Sequence, residues 1–278
     1  MLNSLYPCDP TVVDGVLSHA DSFVLDLGSG SGIWAAQMAF EFPNATVVGV
    51  DTSHSAPLNV PNNCFFESHN ISHGLARYYA RFDLVHCRCV AGVVPNHNVL
   101  VDELVKCLRP GGLIILGEGD LRVYTEHKIL APMRRSDEDV DPSHSWLARY
   151  LYELDAHSSA STIGWHLATL LTRTGAFPAA SGVTTKQLYV PIGWEGDASM
   201  APEVGELMKR NCQDFVRSWK SKLLQKGFPP LQVDFWIRKV DQEIGVAAAD
   251  TGDSNVLRLC NVWHYTWAVM PSDGLLIA

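Results

Sequence analysis

Two acids bracket a glycine-rich stretch near the start of this chain. In "VLDLGSGSGIWA", residues Val24 to Ala35, Asp26 stands two residues before Gly28, with Gly30 and Gly32 following; Asp51 closes the apolar run "ATVVGV" nineteen residues past Gly32. A glycine turn after a strand lets a ligand lie against bare backbone. A carboxylate at the tip of the next strand is placed to accept hydrogen bonds from both hydroxyls of a ribose. Asp26 discriminates between ligands, because an acid repels a pyrophosphate and attracts an ammonium group. A dinucleotide fingerprint would read G-x-G-x-x-G, but Ile33 occupies the third glycine position and Gly32 arrives one residue early. S-adenosylmethionine, with an α-ammonium, a sulfonium and no phosphate, meets both conditions.

The elements that must carry these residues alternate. Asp9 and Pro10 form a capped start for a helix running to about Ala20. Phe23 to Leu27 reads as a buried strand, Ser31 to Phe42 as a helix ended by Pro43, and Ala45 to Val50 as a β-branched strand. "CFFE" at Cys64 and "FDLVHC" (Phe82 to Cys87) continue as strands three and four. In "HNVLVDELVKCLRPGG", Val99, Leu100, Leu104 and Leu108 lie at helical spacing before an Arg-Pro-Gly-Gly stop, and Leu113 to Gly117 makes a fifth strand. Such alternation demands crossovers, hence a mainly parallel sheet with helices on both faces.

Beyond Asp120 the stretch "TEHKILAPMRRSDEDVDP" predicts a surface loop or short irregular helix. A helical region is expected from Ser143 to Thr174, with a break at "HSSAS" (His157 to Ser161). Val183 to Trp194 alternates as a sixth strand, and Asn261 to Met270 as a seventh. Between them, Val204, Leu207, Phe215 and Leu223 mark one helix face and "PPLQVDFWIRKVDQEI" another helix. The expectation is an α/β fold of seven strands with a helical C-terminal elaboration. It is read as one domain over residues 1–278, with 1–120 the cofactor-binding half and 121–278 the substrate-covering helices and last two strands.

Composition narrows the partners. Of 278 residues 47% are hydrophobic, enough for a sizeable core, and 21 Lys plus Arg against 30 Asp plus Glu leave a net charge of −9. That balance argues against nucleic acid and anionic membranes and for a small-molecule substrate. The start "MLNSLYPCDP" lacks the pattern of an export signal, and no run reaches the length of a membrane span, so a cytoplasmic protein is expected. Seven scattered cysteines without CxxC spacing suit reduced thiols, and "CRC" at Cys87 to Cys89 is too tight and solitary for zinc, so no metal is expected.

"VLDLGSGSG", "VVGVDTS", "FDLVHCR" and "LVKCLRPGGLIILGE" resemble, in order and spacing, the successive motifs of class I S-adenosylmethionine-dependent methyltransferases, over about Ser22 to Asp120. "SGIWA", "FDLVHCR" and "YVPIGW" further resemble the fungal LaeA-like methyltransferases, a family tied to secondary metabolism. The resemblance implies a Rossmann-like class I methyltransferase fold with S-adenosyl-L-methionine as cofactor. Carried over by position, it implies that Asp26, Gly28, Ser29, Gly30 and Gly32 surround the methionine moiety and that Asp51 holds the ribose. Thr52 and Ser53 would lie beside the adenosine, Asn70 at the adenine amino edge and Ile71 on its ring face. The family often has Asp where Asn70 stands, a change that keeps an acceptor and loses the charge. His86, Cys87 and Arg88 would border the methyl group. About 22 residues precede the first strand, a shorter lead than the family usually carries, and Tyr6 is expected to help close the site.

Transfer from a sulfonium needs a base only when the nucleophile arrives protonated. His86 is the candidate, at the carboxyl end of strand four with a side chain that titrates near neutral pH; a histidine packed within the sheet is the competing reading. Glu118 and Asp120 could orient a substrate hydroxyl or amine, or simply end a strand. Arg88 reads either as an anchor for its loop or as a contact to the cofactor carboxylate. His144, His157 and His166 fall on the helical segment expected over the pocket, where a surface position suits them equally. Trp34 and Met38 face the sheet by periodicity and are expected in the core. Seven of the eight tryptophans lie beyond residue 140, which suits either an aromatic substrate cover or ordinary helix packing. Two functions follow: methylation of O, N or C of a small metabolite, which the second resemblance implies belongs to secondary metabolism of the fungal type, or a LaeA-like regulator that keeps the fold and works through a protein partner.

Overall fold

A computed structural model describes residues 6–53, 57, 59–90, 94–155, 162–177, 182–196, 200–201, 203–246 and 257–273. Strands β1 (Phe23–Leu27), β2 (Thr46–Asp51), β3 (Cys64–Ser68), β4 (Phe82–Arg88), β5 (Leu108–Thr125), β6 (Val183–Pro191) and β7 (Leu259–Val269) form a seven-stranded sheet in the order β3-β2-β1-β4-β5-β7-β6. The helices are α1 (Pro10–Leu17), α2 (Ile33–Glu41), α3 (His97–Cys107), α4 (Trp146–Asp155), α5 (Ile163–Arg173), α6 (Glu203–Ser218), α7 (Lys220–Gln225) and α8 (Pro230–Val246).

The ladders β1–β2, β2–β3, β1–β4 and β4–β5 are parallel. β7 runs against β5, since Met270 N–H donates to Gly112 O at one end and Glu126 N–H to Arg258 O at the other. The winding reverses between β1 and β4: from β1 the chain steps out to β2 and β3, then returns to the other side of β1 for β4 and β5. At such a switch point the carboxyl ends of neighbouring strands leave a crevice for ligands. This is the mainly parallel α/β architecture expected from the alternation of apolar runs.

The chain divides into two compact units whose boundaries fall inside β5, β6 and β7. One comprises Asn3–Glu118, Ile163–Lys186 and His264–Ala278. Its central strands β1, β2 and β4 and the middle of β5 are buried on both faces, as parallel strands between helices must be, while β3 at the edge is partly exposed. Val24, Leu84, Leu113 and Ile115 pack with Trp34 and Met38 of α2 on one face; Leu25, Leu27, Val85 and Ile114 pack with Leu104 of α3 and Leu167 of α5 on the other. The placing of Trp34 and Met38 in the core by helical period is therefore correct. The other unit comprises Gly119–Thr162 and Gln187–Trp263, with a core built around Tyr150 and Trp236. There the carboxylate of Glu243 accepts from Ser145 Oγ and the N–H groups of Trp146 and Leu147, which start α4.

Several boundaries differ from expectation. The region Ser143 to Thr174 contains two helices, α4 and α5, and the expected break at His157 to Ser161 lies outside the described residues. β5 begins directly after α3 and runs through Thr125, well past Leu113 to Gly117 at both ends. Arg-Pro-Gly-Gly does not stop the ladder but bulges within it: Phe82 pairs with Leu108 and Leu84 with Leu113, so six β5 residues span three of β4. Asp83 secures the bulge by accepting from Arg109 at 2.8 Å and from the Phe23 N–H at 2.8 Å. Tyr6 does not overhang a site. It is buried, and its hydroxyl donates to Glu41 at the end of α2, 2.6 Å away.

The loop between β1 and α2 requires its glycines for different reasons. Gly28 has φ of +73°, and a Cβ there would lie 2.2 Å from Val90 Cγ2. Gly30 has φ of +53° with nothing within 4 Å of an added Cβ. Gly32 is pressed instead by the ring of Phe66, 2.5 Å from where a Cβ would sit. Close approach by the protein's own side chains thus accounts for the first and third, and open space faces the second. Gly28→Ala is expected to combine backbone strain with overpacking, a loss of about 2–4 kcal/mol. Gly30→Ala should suffer backbone strain alone, about 1 kcal/mol; urea unfolding of the two variants measures the difference.

Candidate functional site

The glycine loop is fastened to the end of β2 by its own backbone. Gly28 and Ser29 N–H both donate to Val50 O, at 2.8 and 3.1 Å, and Gly32 N–H donates to Ser29 O at 2.8 Å. Gly30 N–H donates to Asp51 Oδ2 at 2.9 Å. The other carboxylate oxygen, Asp51 Oδ1, accepts from Ser53 N–H at 3.1 Å and from the hydroxyls of Thr52 and Ser53, each at 3.3 Å. Partial burial on its own would raise the Asp51 pKa, but the backbone N–H groups of Gly30, Ser53 and Thr52 outweigh it and hold the carboxyl below its ordinary value. Asp51 is therefore an anion at neutral pH, and of its donors the Thr52 and Ser53 hydroxyls, at 3.3 Å, are the two that can rotate away to admit others.

Beneath this loop, β1 and β4 bring Asp26 and His86 side by side in register. His86 Nδ1 and Asp26 Oδ1 lie 2.8 Å apart, with both side chains about 95% buried. The ring of Trp34 stacks on the imidazole, 3.8 Å between centroids and 15° from parallel. Asp26 Oδ2 is buried with no hydrogen-bond partner among the described residues. His86 thus sits inside the sheet's packing, where the competing reading put it, rather than at an open edge.

The remaining residues divide between core and loop. Cys87 points to the opposite face, among Leu25, Leu27 and Leu116, where burial pushes its thiol well above the ordinary value. Arg88 is exposed and hydrogen-bonds to Tyr265 of β7, which makes it an anchor between strand ends. Glu118 is buried, and its Oε1 accepts from Val90 N–H at 3.0 Å; Cys89 N–H donates to Gly117 O at 2.9 Å. Glu118 thereby ties the loop after β4, whose Val90 presses on Gly28. Asn70 Oδ1 accepts from Ser72 N–H at 2.9 Å, capping the short 3₁₀ turn Ile71–His73, and Ile71 is half-buried against the core. The acceptor expected to meet an adenine amino group is thus engaged by its own turn.

Outside this cluster, Asp120 accepts from Arg122 and from Tyr124 Oη at 3.0 Å. His144 pairs with Asp139 at 2.8 Å, His166 is exposed on α5, and His157 lies outside the described residues. Among the described residues no group of three or more His, Cys, Asp or Glu side chains is arranged to hold a metal ion, and no helix is long and apolar enough to cross a membrane.

Two contributors escaped the sequence reading. Val90 looks like any aliphatic after a strand, and only the fold sets it against Gly28. Phe66 shows as a β3 residue, and only the β2–β3 register sets its ring against Gly32 and Gly49. The clue in the sequence was the glycines, which report that something approaches without saying whether it is ligand or protein.

Comparisons agree with this geometry. A family model described as a methyltransferase domain matches residues 17–173, more than half of the chain. The chain is 26% identical over 236 residues to a secondary metabolism regulator laeA of Coprinopsis cinerea, an alignment covering 84% of this chain and 58% of that protein. It is 27% identical over 214 residues to the methyltransferase pytC of Aspergillus terreus, covering 76% of this chain and 62% of that one. It therefore spans about three fifths of the length of these relatives. Among solved structures, a putative methyltransferase from an antibiotic biosynthesis pathway of Anabaena variabilis shares the fold, with a TM-score of 0.56 and 13% identity over 95% of this chain and 98% of that one. The chain, with its glycine loop bound to the tip of β2 and its strand order reversing at β1 and β4, belongs to the methyltransferase domain family.

Proposed function

We propose that this protein binds S-adenosylmethionine at the β1–α2 loop and transfers its methyl group to a small metabolite. One observation carries the reading: Asp51, ionised and pinned by the Gly30 N–H, ends the strand beside the switch point, and the two hydroxyls of a ribose can take the places of its two rotatable donors, the Thr52 and Ser53 hydroxyls. The surrounding residues fit the rest of that cofactor. The N–H groups of Gly28, Ser29, Gly30 and Gly32 are engaged within the protein, so the loop has few donors for a phosphate. Asp26 offers a buried oxygen without a partner, which suits an ammonium group. Gly30 leaves open space beside its backbone.

When bound, the cofactor supplies a methyl on a positively charged sulfur, whose displacement needs no acid for the leaving thioether. The chain's own work is to orient donor and acceptor and exclude water. Asp26, Gly28, Ser29, Gly30 and Gly32 would border the methionine moiety; Asp51, Thr52, Ser53, Asn70 and Ile71 the adenosine; the ends of β4 and β5, with His86, Cys87, Arg88 and Glu118, the reacting side. Glu118 acts there by fixing the loop at Val90. The division of labour expected along the chain, 1–120 for cofactor and 121–278 for substrate within one enzyme, goes with this proposal.

The acceptor is an O, N or C of a small molecule. The net charge of −9 disfavours nucleic acid, and the similarity to a fungal methyltransferase and to a fungal relative named for secondary metabolism supports secondary metabolism of the fungal type. A second reading is favoured by one relative, described as a secondary metabolism regulator: the fold is kept, but action runs through a protein partner.

Asp51→Ala is expected to weaken S-adenosylmethionine binding at least about tenfold, by removing charge-assisted acceptors for the ribose, in calorimetric titration. Glu118→Gln retains an acceptor for Val90 N–H, so kcat should fall no more than about threefold, whereas loss of a general base would lower it at least about 100-fold; steady-state rates across pH separate the two. Incubation of a metabolite extract with methyl-labelled cofactor, followed by mass spectrometry, should reveal a labelled small molecule. Cofactor binding without any labelled metabolite would favour the regulatory reading instead.

A further inference from the structure

We propose that His86 is a positioning residue: it holds one oxygen of Asp26 so that the other is presented to the α-ammonium of the bound cofactor. This rests on the S-adenosylmethionine reading above and assigns a task to a side chain that could otherwise pass for a base or for filling.

The geometry is specific. Asp26 has two strand neighbours in register, Gly49 on β2 and His86 on β4. Gly49 has no side chain, so of these two only His86 can steady the carboxylate. On its far side His86 faces Ile115 of β5, an apolar neighbour. Trp34 lies flat against the imidazole and blocks rotation of the ring. Trp34 is the second residue of α2, immediately past the glycine loop, so the segment that forms the loop also sets the plane of the ring. The Nδ1···Oδ1 contact of 2.8 Å then fixes the carboxylate plane in turn.

What remains is Asp26 Oδ2, buried and without a partner. A carboxylate oxygen left dry and unsatisfied is unfavourable, and a cationic N–H donor relieves that more fully than a neutral one. Because Oδ1 is held, Oδ2 cannot swing away to find a donor elsewhere. The orphaned oxygen is thus a preformed acceptor whose direction depends on the imidazole.

The test compares two ligands on the intact protein by calorimetric titration. S-adenosylhomocysteine carries the α-ammonium; 5′-methylthioadenosine keeps the adenosine and thioether but lacks it. His86→Ala should weaken S-adenosylhomocysteine about tenfold and leave 5′-methylthioadenosine within about twofold. His86→Asn, whose amide occupies the place of Nδ1, should restore the first ligand. His86→Gln, which fills the ring's length but carries its amide at the Nε2 end, should not. Equal weakening of both ligands by His86→Ala, or equal rescue by Asn and Gln, overturns the positioning role and leaves the cofactor reading standing. If His86→Ala does not fold, the Asn and Gln variants decide the matter by the same ratio. Failure of the parent protein to bind either nucleoside overturns the cofactor reading, and this inference with it.

Discussion

A charge-assisted hydrogen bond from the Gly30 N–H to Asp51 Oδ2 completes the tie, begun by the Gly28 and Ser29 N–H groups on Val50 O, between the loop after the first strand and the tip of the second. Its length depends on the β1–β2 register, which sets Leu27 beside Val50 and so brings the loop over the end of β2. It depends equally on left-handed backbone at Gly28 and Gly30, which turns consecutive N–H groups toward Val50 O and Asp51. In return the bond keeps Asp51 ionised, because its donors stabilise the charge more than partial burial opposes it. The anion, the turn and the strand register are mutually dependent, so a change in any one is felt at the ligand crevice.

Periodicity and glycine spacing made the first half of the fold legible. Phe23–Leu27 is bounded by Ser22 and Gly28 on either side and is reproduced residue for residue. The alternation beyond it fixes the sheet's parallel character. β5 was less legible, because Arg-Pro-Gly-Gly has the composition of a stop, while the strand continues through it as a bulge held by Asp83 and Arg109. Turn chemistry signals a bend in the chain; whether that bend leaves the ladder or sits inside it is decided by a partner strand remote in sequence. The helical stretch from Ser143 to Thr174 was more legible, since its two helices, α4 and α5, precede and follow in sequence the polar run where a break is expected.

Residue type identified the members of the site better than their tasks. Glu118 and His86 have the chemistry of a base, and both are buried with protein partners that account for their places. Asn70 has the amide to meet a purine, yet its oxygen serves a local cap. Tyr6, read as a cover, is a buried donor to Glu41. For Glu118, His86 and Tyr6 the side chain's capacity was visible and its partner was not, because that partner comes from another element remote in sequence; Asn70's partner, Ser72, lies in the turn that it caps.

The selectivity of the crevice can be argued by subtraction. Anion sites at the start of a helix work through unpaired N–H groups. Here the glycine loop's donors are turned onto Val50 O, Asp51 and Ser29 O, so the loop itself has few N–H groups left to cradle a phosphate. Two carboxylates, Asp26 and Asp51, stand at the ends of the same pair of strands, one buried and one partly exposed. A phosphate brought against the loop would meet acids with few donors from the loop to offset them, whereas a cation bearing hydroxyls would meet acceptors already oriented. The proposed positively charged, phosphate-free ligand therefore rests as much on where the loop's backbone has spent its hydrogen bonds as on the attraction of the two acids.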